Sequence, residues 1–131
     1  MEPQQELFTA LLLALRQEYD VYDGFLPPED TPYPFVYLAD TRMSDGVTKT
    51  QLLGTVYQNI HVWHDSPLKR GTVSAMLSRN KAICRNLERT GTFKWMVTDI
   101  NQTIIHDETT KQPLVHGVLE VTFRLMGGTL T

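Results

Sequence analysis

Apolar positions along the chain recur at helical spacing in two segments and alternate at strand spacing in several others. Residues 4–19 (QQELFTALLLALRQEY) predict a first helix: Leu7, Leu11, Ala14 and Leu15 keep one stripe, and Phe8 and Leu12 widen it. Pro3 stands just ahead, where a missing N–H costs little. The stretch Asp20 to Tyr33 carries Gly24, Pro27, Pro28 and Pro32, too many breakers for any period, and reads as a loop. A short strand follows over Phe35 to Asp40. After it, RMSDGVTKT contains the turn signal Asp45-Gly46 and reads as either a long hairpin tip or a mobile loop. Residues 52–64 predict a long strand with Val56, Gln58, Ile60, Val62 and His64 on one face and Thr55, Tyr57, Asn59, His61 and Trp63 on the other. Large side chains on both faces mark a central strand, or one whose outer face meets a partner.

Gly71-Thr72 offers a cap for a second helix from about Thr72 to Arg89, stopped by Gly91. Its apolar face is Val73, Met76, Leu77, Ile83, Cys84 and Leu87, and arginines populate the rest. Two more strands, Phe93–His106 and Leu114–Met126, are joined by the polar segment DETTKQP. In the last, Val115, Gly117, Leu119, Val121, Phe123 and Leu125 share a face, and the closing GGTLT reads as a loose tail. Strands joined by turns pair antiparallel, and each helix has one apolar stripe to bury. The expectation is therefore one α+β domain over residues 1–131, a two-layer sandwich: a mainly antiparallel sheet of about four strands with two helices on one face.

The chain has 131 residues, 41% of them hydrophobic and 21% charged, in keeping with a single globular domain. No apolar run approaches the roughly 20 residues of a membrane span, and the N-terminus lacks the basic start of a secretory signal. Cys84 is the only cysteine, which excludes an intrachain disulfide and fits a reducing cytoplasm. The net charge of −3 hides an asymmetry: residues 1–65 hold ten acids and three bases, residues 66–131 five acids and nine bases. Six bases between Lys69 and Arg89 accompany Glu88 alone. This is either a solvated helix face or the basic half of a head-to-tail contact, in which one copy's acidic surface meets another's basic surface.

Catalytic chemistry is thinly represented. His61 and His64 are three apart, so on a strand they point to opposite faces and do not share an ion easily. His106 and His116 have no carboxylate partner evident in sequence. Cys84 falls on the apolar stripe of the second helix, the setting of a small buried hydrophobe rather than a nucleophile. No Gly-rich phosphate loop is present. No catalytic residue, cofactor or metal site is expected. Aromatic residues in and beside the strands, including Tyr33, Tyr37, Tyr57, Trp63 and Trp95, fit core packing and protein contacts. The residues read as a binding or structural module.

The segments PYPFVYL (32–38), KTQLLGTVYQNIHVWHD (49–65), KRGTVSAMLSRNKAICRNL (69–87) and PLVHGVLEVTFRL (113–125), in that order, resemble the tail-completion or tail-terminator proteins of long-tailed phages of Gram-positive bacteria. The resemblance covers nearly the whole chain and carries no catalytic signature. It implies a structural virion protein, assembled in the host cytoplasm, that forms a hexameric ring on the head-proximal end of the tail. Such a ring stops tube polymerisation and offers a surface to head-completion or connector proteins. DNA would pass through the lumen without specific binding, which a net charge of −3 suits. By the resemblance, sheet extension and helix-to-sheet contacts between protomers close the ring. Arg79, Arg85 and Arg89 are then candidates to meet Asp40, Asp45 and Asp65 of a neighbour, and Arg42, Ser44, Asp45, Thr48 and Lys49, in the segment Thr41–Thr50, are candidates to touch tube or connector. The alternatives are another neck or tail ring (adaptor, stopper or tube protein) and, further off, a small α+β enzyme.

Overall fold

A computed structural model describes residues 2–47, 52–108 and 113–127. Helix α1 spans Pro3–Arg16 and buries Leu7, Leu11 and Leu15, a spacing of four that keeps one stripe inward. Its first turn is capped by Glu2, whose carboxylate accepts from the Gln5 amide at 2.7 Å. Helix α2 spans Arg70–Asn86 and buries Val73, Met76, Leu77, Asn80, Ile83 and Cys84. It starts earlier than Gly71-Thr72 predicts. Ser66 Oγ accepts from Leu68 N at 3.3 Å and opens a 3-10 turn over Pro67–Lys69 that runs directly into the helix. It also stops earlier, at Asn86, and Gly91 serves instead the tight turn after the next short strand, at φ +58°.

Strands β1 (Val21–Asp23), β2 (Phe35–Val47), β3 (Leu52–His64), β4 (Arg89–Thr90), β5 (Phe93–Asp107) and β6 (Leu114–Gly127) form one sheet in the order β1-β2-β3-β6-β5-β4. All pairings are antiparallel except β1 with β2. The fold is α+β with two helices, as the patterning predicts, but the sheet has six strands rather than about four. The two extra strands, β1 and β4, are three and two residues long, too short to leave a periodic trace. Strand β2 runs on to Val47, past the Asp45-Gly46 turn signal, so this part of the polar segment belongs to a long hairpin.

The expected two-layer sandwich is also modified. Helix α1 contacts β1 and β2 at one end of the strand order and β4 at the other. Six strands laid flat would separate those ends by about 24 Å, twice the width of a helix. The sheet therefore curls around the helices. Val56, Ile60 and Val62 of β3 and Leu119, Val121 and Phe123 of β6 are all at most 1% exposed beneath them. Gly117 lets α2 approach: a Cβ there would lie 2.8 Å from Leu77 Cδ1 and 2.9 Å from Val73 Cγ1, both on fully buried side chains. Glu6 ties α1 to the β4–β5 turn by accepting from Thr92 N at 2.9 Å. Burial pushes its carboxyl up, but hydrogen bonds from Thr92, Thr90 and Phe93 outweigh that and hold it below the ordinary value.

Candidate interaction surfaces

The helices cover one face of the sheet and leave its opposite face and its two flanks open. On the first flank β1 pairs only with Val36–Leu38, and from Ala39 to Val47 the outer side of β2 has no strand partner among the described residues. On the second, β4 pairs only with Phe93 and Lys94, and Trp95 N reaches Glu88 O at 2.9 Å. From Met96 to Asp107 the outer side of β5 likewise has no strand partner among the described residues. An unpaired strand edge is a row of backbone donors and acceptors ready to add another strand.

The β2 edge is shaped from within the core. Between Leu38, opposite Ile60, and Thr41, opposite Gln58, β2 carries one extra residue, a bulge. Gln58 lies on the buried face, 2% exposed, and its Nε2 donates to Ala39 O at 3.0 Å, Asp40 O at 3.3 Å and Asn59 O at 3.0 Å. A buried amide thus satisfies the carbonyls that the bulge takes out of the ladder. Beyond the bulge Arg42 turns to the open face, its guanidinium 4.1 Å from the centre of the Tyr57 ring. Asp40, Arg42 and Tyr57 on this side and Asp99 and Glu120 on the other line a groove of about 460 Å³ across the open face. With three carboxylates to one guanidinium, its floor favours cationic groups.

Towards the β3 C-terminus the open face turns aromatic. Cross-strand register brings Trp63 opposite His116, their rings stacked at 3.6 Å, and His61 Nδ1 lies 2.6 Å from His116 Nε2. One ring nitrogen donates and the other accepts, so the accepting ring carries no proton on that nitrogen. Burial and the neighbouring His61 pull His116 down to about 4 against Asp107, and burial pulls His61 down against Asp40. Sequence reasoning missed this pair because its members are 55 residues apart and meet only through the β3–β6 register. Among the described residues no group of three metal-ligating side chains converges. Cys84 is fully buried, and burial raises its thiol to about 12.

The charged candidates divide. Arg79 is engaged within its own chain: its Nε donates to Glu18 Oε1 and Oε2 at 2.8 and 2.9 Å. Arg85 and Arg89 are exposed where α2 leads into β4. Asp40 sits at the bulge and Asp65 beyond the end of β3, about 20 Å of strand away, so the two do not form one acidic patch. Asp65 Oδ1 contacts His64 Nδ1 at 3.2 Å. Arg42 and Ser44 lie on the exposed part of β2, whereas the side chain of Asp45, with Thr48 and Lys49, lies outside the described residues.

This architecture recurs in a solved assembly. A chain in the structure titled "Virion of native gene transfer agent (GTA) particle" superposes with a TM-score of 0.63 at 18% identity, covering 93% of this chain and 92% of that one. No protein-family profile and no curated protein sequence matches the chain. At this identity the likeness establishes a shared fold, over nearly the full length of both chains.

Proposed function

We propose that this protein is a structural component of a phage-like virion, and specifically a terminator that closes the head-proximal end of a tail tube as a ring of identical copies. The observation that carries the reading is the end-to-end correspondence of its fold with a chain of a virion. Two further features support it. The open edges of β2 and β5 stand at opposite sides of the strand order, which suits a heterologous, repeating contact between copies. The acidic residues concentrate in the first half of the chain and the basic ones in the second, so that contact gains charge complementarity. Arg85 and Arg89 are the basic candidates for it and Asp40 the acidic one, with Arg79 reserved to Glu18. In this reading the β2–β3 hairpin, with Arg42 and Ser44, meets the tube or the connector, and the particle's DNA passes through the lumen unbound.

The test is reconstitution. Purified protein added to polymerising tail tube protein is expected to cap one end of each tube, visible by electron microscopy, and to halt growth there. Incorporation along the tube, or self-stacking into filaments, would transfer the protein to the tube class. Binding only to connector rings would make it an adaptor or stopper.

A further inference from the structure

The loop between β1 and β2 carries an apolar finger. Phe25 is 87% exposed and Leu26 62%, among the most exposed large apolar side chains described. The finger is held rather than loose. Gly24, at φ +81°, turns the chain out of β1 in a conformation that side-chain-bearing residues rarely adopt. Tyr37 Oη donates to Gly24 O at 3.5 Å, Arg16 bonds Val21 O and Asp23 at the base, and Thr31 N closes a turn on Pro28 O at 3.0 Å. Pro27 and Pro28 restrict the backbone in between, so little entropy is lost when the finger docks. Glu29 and Asp30 follow within four residues of Leu26.

The opposite flank carries a groove of about 470 Å³ whose apolar surface is Met96, Val97 and Met126, backed by the buried Trp95, with Arg85, Lys94 and Glu88 at its margin. Met96 and Met126 are 47% and 44% exposed, and methionine lines adaptable docking surfaces well. Finger and groove belong to the β1 flank and the β5 flank, at the two ends of the strand order, and both stand open in a single copy. One is apolar with an acidic margin; the other is apolar with two bases and one acid. We propose that the Phe25–Leu26 finger of one copy seats in the Met96–Val97–Met126 groove of the next, with Glu29 and Asp30 facing Arg85 and Lys94. The inference rests on the reading that copies associate head to tail and names the contact that fixes their spacing. Because the two surfaces differ, each copy keeps a free finger and a free groove until the ring closes.

The experiment pairs cross-linking with charge exchange. Phe25→Cys combined with Met126→Cys places thiols on two exposed positions, while Cys84 is buried out of reach. Mild oxidation, in solution and on tail tubes, is expected to give a ladder of covalent oligomers ending at the ring. Either single variant should stop at dimers. Phe25→Ser should weaken self-association about thirtyfold, the loss of an aromatic anchor. Glu29→Lys with Asp30→Lys should weaken it at least about tenfold, and adding Arg85→Glu with Lys94→Glu should restore it. Undiminished rings in Phe25→Ser, together with no ladder from the Phe25→Cys/Met126→Cys chain, overturn this contact and leave self-association standing. A wild-type chain that stays monomeric at every concentration, on tail tubes included, overturns both.

Discussion

Replacing Gln58 with Met removes a buried amide while nearly preserving side-chain length and volume, so the change isolates the hydrogen bonds that hold the β2 bulge. Nε2 has two hydrogens and three carbonyl acceptors, at 3.0, 3.3 and 3.0 Å, so two bonds' worth of stabilisation is at stake. At about 0.5–1.5 kcal/mol net for each, the loss is about 1–3 kcal/mol. Asp40 is exposed, so water can reach its carbonyl and the lower half of that range applies there; Ala39 is half-buried and keeps more of its penalty. For a domain of this size about 4 °C accompanies each kcal/mol, which puts the fall in Tm at about 4–12 °C. The assay is thermal unfolding by circular dichroism, with amide hydrogen exchange of residues 39–44 as a local readout. The bulge amides should exchange faster while the β3–β6 centre stays protected. An unchanged Tm together with unchanged exchange would refute the claim that Gln58 holds the edge in shape.

His116 is neutral in the fold with its pKa brought down to about 4, so below its ordinary value of 6.5 the unfolded chain binds the extra proton first. Stability should therefore fall as the pH drops from about 6.5 towards 4, and His116→Phe should flatten that slope; denaturant midpoints measured at several pH values decide it. Asn80 is fully buried on α2, and its amide has no hydrogen-bond partner among the described residues. Asn80→Leu should raise stability by about 1–2 kcal/mol, and a fall in the denaturant midpoint would show that the amide is satisfied after all. Cys84, with its thiol raised to about 12, should resist a thiol reagent in the native protein and react only with the rate of unfolding.

How far the fold was legible in the sequence depended on the range of the signal. The stripe Leu7–Leu11–Leu15 and the alternation from Val115 to Leu125 are local and regular, and both elements stand where they predict. The long strand over residues 52–64 matches its expected bounds, its alternation running unbroken from Thr55 to His64. Short elements were lost: Val21–Asp23 and Arg89–Thr90 are strands only because β2 and β5 lie beside them. Gly71 misled as a cap, since the Ser66 bond to Leu68 had already begun the helical turn. The candidate surface was legible only as charge. The acidic and basic halves are plain in the sequence, but Arg79 reads there as available, and only the fold brings Glu18 to it from 61 residues away. Gln58 reads as one residue of an alternating face, and nothing local marks it as the support of a bulge in the neighbouring strand. Phe25 and Leu26 sat in a segment rich in prolines, whose stiffness was visible but whose exposure was not.

If copies of this chain close into a ring of fixed size, as proposed, its mass in solution shows it most directly, by light scattering across a concentration series at two salt levels. A discrete species near six times 15.0 kDa is expected, weakening as salt rises if the proposed opposite charges meet across the contact. Growth without limit would contradict closure, and a monomer that also fails to assemble on tail tubes would contradict the ring itself.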